Sequence, residues 1–204
     1  FIIMSSTTKK YKICRRLGVG MFEKCQTQKF LARQKTGKKE VRVRRSDYGV
    51  QFLEKQKIRF TYGVREKQFS NYINHAMTHG KKGIKPADLL SQLLERRLDN
   101  VVYRLGLASS RALSRQIVSH GHILVNGKKM TIPSYQVEKG DVIAIREGSK
   151  KTVLFTDVAT KLKAFKTPDW IKWSTDFSKA DITAMPKDTD PFLNPQSVIE
   201  FYSR

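Results

Sequence analysis

Apolar positions recur at helical spacing through much of the first half of the chain. Val50, Leu53 and Phe60 do so in a run that starts after Asp47, a residue able to cap a helix, and stops at Gly63. The pattern predicts a helix over 48–62. Phe69, Tyr72, Ile73, Ala76 and Met77 form one face of a second predicted helix over 64–79, with Gly80 as its stop. Pro86 suits the first turn of a third helix. Leu90, Leu94, Leu98, Val101 and Leu105 then carry that helix to Gly106.

Beyond Gly106 the period changes. Ser109 or Ser110 caps a short helix through Ser119, with Gly121 as its stop. Leu113 and Ile117 are four apart and can pack on the preceding helix. Asn126-Gly127 then stands between Ile123-Leu124-Val125 and Lys128. Asn-Gly between apolar runs is a strong hairpin signal, because both turn residues must accept positive φ. Val125 is expected to point inward. Lys139-Gly140-Asp141 makes another turn, and Val142-Ile143-Ala144-Ile145 a closing strand. Residues 95–145 thus read as helix, turn, helix, hairpin, strand, in a chain of α+β class.

Charge decides the class of partner. The 204 residues carry 40 Lys and Arg against 18 Asp and Glu, a net charge of +22. Such a chain repels itself unless an acidic partner neutralises it, and nucleic acid is the expected one. Membrane is not expected, since no apolar run approaches the roughly 20 residues of a spanning helix. Residues 1–46 hold a net +12 and residues 180–204 a net −2. The first 45 residues therefore read as an extended basic arm, with Arg42, Arg44 and Arg45 as contacts that order against phosphate.

Further cations gather on predicted elements. Lys55, Lys57 and Arg59 lie in the first predicted helix. Arg97 and Arg104 are seven apart and share a face of the third. Arg111 and Arg115 share a face of the next, and Lys128 and Lys129 occupy the hairpin. A basic face on a rigid scaffold suits RNA, whose helices and junctions are read largely through backbone shape and the 2′-hydroxyl. Catalysis is not indicated. No Gly-rich cofactor loop follows a strand, and no Ser, His and Asp arrangement suggests a nucleophile. Asp99 and Asp141 read as helix-surface and turn residues, and His120 and His122 as helix-end and strand-start residues. Cys14 and Cys25 are the two cysteines; a structural zinc site wants four ligands, so neither zinc nor any other cofactor is expected.

Several stretches carry a family resemblance. Leu94-Glu95-Arg96-Arg97-Leu98-Asp99-Asn100-Val101-Val102-Tyr103-Arg104-Leu105-Gly106 closely resembles the small-subunit ribosomal protein S-four family, bacterial type. So do Arg115-Gln116-Ile117-Val118-Ser119-His120-Gly121-His122-Ile123, Val125-Asn126-Gly127 and Pro133-Ser134-Tyr135. Outside that module lie Ser46-Asp47-Tyr48-Gly49-Val50-Gln51, Glu54-Lys55-Gln56-Lys57, Tyr62-Gly63-Val64, Lys67-Gln68-Phe69 and the last seven residues.

The resemblance implies a helical N-terminal lobe completed by the C-terminal tail, plus a small αα-hairpin-strand RNA-binding module with a helix-rich extension. It implies boundaries of 1–45 for the arm, 46–94 for the helical lobe (completed by about 184–204), 95–157 for the module and 158–183 for the extension. It adds Tyr62, Arg65, Gln68, Ser110, Gln116 and His120 to the RNA-binding residues. It implies a non-enzymatic protein that binds a junction in the 5′ region of small-subunit ribosomal RNA and nucleates subunit assembly. Its neighbours would be the ribosomal proteins numbered three and five and messenger RNA near the entry channel. The setting would be a ribosome in the bacterial cytoplasm or in an organelle. The alternative is the same module within an RNA-modifying enzyme or a ribosome-rescue factor. The family's common N-terminal zinc cysteines number four, whereas this chain has two. Pro195 departs from the family pattern and is expected to shorten the last helix or strand.

Overall fold

A computed structural model describes residues 9–18, 20–30, 32, 46–80, 83–152, 154–155, 162, 165, 167–175, 178–187 and 190–203. The segment read as an extended arm is folded where it is described. Helix α1 spans Lys10–Leu17, and a 3-10 turn spans Glu23–Cys25. Cys14 and Leu17, three residues apart, give this cationic helix one buried edge, and Cys25 is buried as well. Gly18 ends α1 at φ +71 and donates its N–H to the Cys14 carbonyl.

Helix α2 runs Asp47–Tyr62, matching the predicted span but not the predicted cap. Ser46 Oγ accepts from the Gly49 N–H at 3.3 Å. Asp47 is instead in the first turn, where its charge complements the helix dipole. Helix α3 spans Glu66–His79. Gly80 follows it and is required by crowding: a Cβ there would lie 2.6 Å from the Ala76 carbonyl oxygen and 2.8 Å from Pro86 Cγ.

The C-terminal helix α8, Pro195–Tyr202, packs on α2. Asn194 Oδ1 accepts from the Ser197 N–H at 3.2 Å. Pro195 opens α8 rather than shortening it, because the first helical position has no intrahelical hydrogen bond to lose. The Phe201 ring sits 5.3 Å from Tyr48 and 6.3 Å from Phe52. By its internal contacts the chain divides into two units, residues 1–90 with 190–204, and residues 91–189.

The third predicted helix is two helices. Helix α4 spans Pro86–Glu95 and α5 spans Leu98–Arg104. Arg97 lies between them in extended conformation, bridged to Gln136. The loop at 133–137 takes over the backbone groups that a continuous helix would have paired. Leu98 N–H donates to Tyr135 O at 2.9 Å, Asp99 N–H to Pro133 O at 3.1 Å, and Val137 N–H to Arg96 O at 2.9 Å. The apolar spacing hid the break, since Leu94, Leu98 and Val101 are buried on both sides of it.

Helix α6, Arg111–Ser119, is capped by Ser110, whose Oγ accepts from the Leu113 N–H at 3.3 Å. Strands β1 (Ile123–Val125) and β2 (Lys128–Met130) form the expected hairpin, with Asn126 at φ +50 and Gly127 at φ +78. Strand β3 (Val142–Ile145) pairs with β1, setting Val125 opposite Ile143. A single turn, α7, follows at Glu147–Lys150.

Among its described residues the extension, expected to be helix-rich, contributes two strands, β4 (Ile171–Trp173) and β5 (Lys179–Ile182). The antiparallel sheet has the order β2-β1-β3-β5-β4. Ala180 and Ile182 alternate inward on β5, and their burial is what the sheet edge at β3 gains from the extension. Leu98, Val102, Ile117, Ile123, Val125 and Ile143 lie in one core beneath this sheet.

Val125 is 3% exposed. Val125→Asp would place an unpaired carboxyl group in that core, a desolvation cost that is a large fraction of a domain's marginal stability. The expected result is loss of the cooperative thermal transition, followed by circular dichroism. A native-like melting profile would show that the hairpin tolerates charge on its inner face.

Candidate nucleic-acid interface

Two buried carboxylates organise the basic residues of the second unit. Asp99, expected on the helix surface, is buried, with 4% of its side chain exposed. Its Oδ1 accepts from Arg97 Nε at 3.0 Å. Its Oδ2 accepts from Arg97 Nη2 at 2.8 Å, Arg115 Nε at 2.9 Å and Arg115 Nη2 at 2.6 Å. Glu95, with 1% exposed, accepts from Arg104 through both oxygens, at 3.0 and 2.8 Å. Asn100 Nδ2 donates to Glu95 Oε2 at 2.8 Å, and Asn100 Oδ1 accepts from Arg111 Nε at 2.8 Å. The Arg111 guanidinium also lies 4.5 Å from the Tyr103 ring centroid.

This geometry corrects one pairing read from spacing. Arg97 and Arg104 do not share a helix face, because Arg97 precedes α5 and its side chain is 2% exposed. Arg97 is an interior counter-ion. Arg104 and Arg115 reach the surface in part, with 21% and 31% of their side chains exposed. Arg111 is half-buried, Ser110 is occupied as a cap, and Gln116 and His120 are exposed on and just after α6.

The hairpin adds exposed Lys128 and Lys129. The Lys129 alkyl chain crosses Gly121, where a Cβ would come within 2.2 Å of Lys129 Cε. That contact holds the β2 lysine near the end of α6. His122 lies beside it, with Nδ1 2.9 Å from Ser149 Oγ. Burial lowers the His122 pKa, and the charges of His120, Arg146 and Lys129 lower it further. Asp141 is a turn residue, accepting from the Glu138 N–H and from Asn126 Nδ2, each at 2.8 Å.

In the first unit several predicted contacts are engaged internally. Lys55 is buried. Its ammonium pairs with Glu66 and lies over the rings of Phe52, Phe201 and Tyr202 at 5.7, 5.1 and 5.2 Å. Burial alone would lower the Lys55 pKa, but the bonds to Glu66 and Tyr202 outweigh it and raise the value. Tyr62 is 2% exposed and belongs to the core, where its apolar ring is worth more than at the surface.

Lys57 pairs with Glu54, and Arg59 reaches Gln56 at 2.7 Å and the Phe60 ring at 4.4 Å. Arg65 is exposed, and Gln68 is half-buried beside Tyr72. Arg42, Arg44 and Arg45 lie outside the described residues. Burial, and next the neighbouring Cys14, push the Cys25 thiol up to about 12, so it stays protonated at neutral pH. Among the described residues no three His, Cys, Asp or Glu side chains gather as metal ligands.

Spacing alone could not have found Glu95, Asp99, Asn100 and Tyr103, because their partners lie up to 16 residues away. What was visible was a set of polar residues set among buried apolar positions.

Two family models match this chain. The S4 domain covers residues 96–143, and the ribosomal protein S4/S9 N-terminal domain covers residues 5–95. The chain is similar to the small ribosomal subunit protein uS4 of Roseiflexus sp. (strain RS-1), at 45% identity over 203 residues, 95% of this chain and 96% of that protein. The chain belongs to the uS4 family.

The uS4 protein of Akkermansia muciniphila is 43% identical over 97% of this chain and 98% of its own length. That of Aquifex aeolicus is 41% identical over 95% of each. These uS4 relatives are ribosomal proteins rather than enzymes, and the non-enzymatic reading stands on that match. The two uS4 family models meet at the break between α4 and α5, where the buried carboxylates begin.

Two measurements test this site's construction. Asp99→Asn removes the carboxylate that pairs with the buried Arg97 guanidinium and should destabilise the protein by about 3–5 kcal/mol, read by urea denaturation. A loss below about 1 kcal/mol would mean that water or another group compensates Arg97. His122, with its pKa depressed on folding, contributes stability that is full above its ordinary value near 6.5 and is lost as pH falls through the lower folded value. His122→Gln should flatten that acid-side decline in thermal stability. An unchanged slope would assign the decline to other groups.

Proposed function

We propose that this chain is a structural component of the small ribosomal subunit that binds small-subunit ribosomal RNA directly. The observation that carries the reading is the basic face within the matched S4 domain. Arg104, Arg111 and Arg115 are held in place by buried partners, beside exposed Gln116, His120, Lys128 and Lys129. Held guanidinium groups suit phosphate oxygens, which take charge-assisted bonds in a planar fork. In the first unit, exposed Arg65, together with Lys57, Arg59 and Gln68 along their helices, extends the candidate contacts. Arg42, Arg44 and Arg45 extend them along the N-terminal segment.

The finer reading follows from family membership. The RNA target is a junction in the 5′ region of small-subunit ribosomal RNA, and binding there nucleates assembly of the subunit. The neighbours are the ribosomal proteins numbered three and five, with messenger RNA near the entry channel. The uS4 relatives come from bacteria, which supports a bacterial cytoplasmic ribosome over an organellar one. An RNA-modifying enzyme or a rescue factor would share the S4 domain, but the match across residues 5–95 favours the ribosomal protein.

Filter binding to the 5′ domain of small-subunit ribosomal RNA, with excess tRNA as competitor, tests the reading. Tight binding that survives the competitor is expected. With roughly 6–10 phosphate contacts, affinity should fall by about three to five decades between 50 and 200 mM salt. Arg111→Ala with Arg115→Ala should weaken binding about a hundredfold if each arginine makes one charge-assisted bond. Alanine is preferable to glutamate here, because a new carboxylate at position 115 would stand beside Asp99. Equal affinity for tRNA would reduce the protein to a generic polycation binder.

A further inference from the structure

The arginines of the S4 domain are not held by one another but by residues behind them. Arg104 rests on Glu95, Arg111 on Asn100 and Arg115 on Asp99. These three supports are 1–3% exposed. They are too deep to meet a ligand the size of a nucleic acid. Each bonds its arginine through Nε, and Glu95 and Asp99 bond through Nη2 as well. Nε stands next to the aliphatic stem, so a bond there fixes the plane of the guanidinium. An unrestrained arginine carries rotamer entropy that binding would otherwise have to overcome.

The supports are also joined. Asn100 donates to Glu95 Oε2, the same oxygen that accepts from Arg104 Nε, so Arg104 and Arg111 share one buried anchor. Asn100 follows Asp99 in sequence and sits on the first turn of α5. Two carboxylates inside a nucleic-acid-binding face oppose phosphate by simple charge counting. Their burial under guanidinium groups resolves that opposition.

We propose that Glu95, Asp99 and Asn100 are positioning residues for RNA recognition. None contacts RNA; each sets the plane and place of an arginine that does. The inference rests on the RNA-binding reading of this face.

Asn100 gives the cleanest test, because it is neutral and its replacement leaves the net charge unaltered. The experiment is a double-mutant cycle on the full chain, with affinity for the 5′ domain of small-subunit ribosomal RNA measured by filter binding. Thermal unfolding of each variant checks the fold. Arg111→Ala should weaken binding about tenfold, and Asn100→Ala about three- to tenfold. In the Arg111→Ala background, Asn100→Ala should weaken binding by clearly less than it does alone, because its action through Arg111 is gone and only its bond to Glu95, behind Arg104, remains. Should Asn100→Ala unfold the module, Asn100→Ser replaces it in the cycle, being smaller yet still able to hydrogen-bond.

Multiplying effects in the double variant would overturn the inference, since a general loss of structure adds to the loss of Arg111. Unchanged affinity in Asn100→Ala alone, with Arg111→Ala still weakened, would overturn it while leaving the RNA-binding face intact. Wild-type affinity in Arg111→Ala would remove Arg111 from that face, and the role of Asn100 with it.

Discussion

Burial of the Glu95 and Asp99 carboxylates at the break between α4 and α5 is the constraint on which the second unit's basic face depends. A carboxylate removed from water costs several kcal/mol unless its oxygens are satisfied. Asp99 meets that demand with two arginines and four hydrogen bonds, and Glu95 with Arg104 and Asn100. The partners come from both helices: Arg97 and Arg104 from the α5 segment, and Arg115 from α6. The pairs therefore lock α6 against α5, beside the shared apolar core to which Val101, Leu105, Ile117 and Val118 belong.

The first unit uses charge differently. There an ammonium replaces the carboxylate as the buried group, and aromatic rings replace guanidinium groups around it. Lys55 sits under Phe201 and Tyr202 of α8 while bonding Glu66 of α3. The Tyr202 hydroxyl also reaches Glu66 at 3.2 Å. One cation thus ties three helices, α2, α3 and α8. The favourable ion pair raises the Lys55 pKa and lowers that of Glu66, against the burial of each. The low net charge of the C-terminal segment fits this use, since a helix bearing more cations would repel Lys55.

Local chemistry was legible in the sequence wherever it was local. Asn126-Gly127 announced the hairpin, because few residue pairs accept two positive φ values. Gly63 and Ser110 marked helix ends that the structure keeps. The break after Glu95 was not legible, for its cause is the strand-like contact of Arg97 with Gln136, far along the chain. Lys55 and Arg97 looked like surface cations for the same reason. Sequence spacing says which side of a helix a residue takes, not what will be packed there. Strands β4 and β5 escaped because two short segments, Ile171–Trp173 and Lys179–Ile182, carry too few alternations to stand out.

These internal uses change what the net charge of +22 means. That count treats every Lys and Arg as available to phosphate, yet Arg97 and Lys55 are buried and committed to carboxylates. The steepness of salt dependence reports counter-ions released from RNA, and so the cations that meet phosphate rather than the total carried. An arginine bonded to a buried carboxylate through Nε and one Nη presents a fixed fork rather than a mobile charge. It contributes less to long-range attraction, because its counter-ion travels with it, and more to geometry. The bulk of the attraction then falls to exposed lysines and to the cations of the N-terminal segment. On the proposed reading, the held arginines of the S4 domain supply geometry where those cations supply attraction.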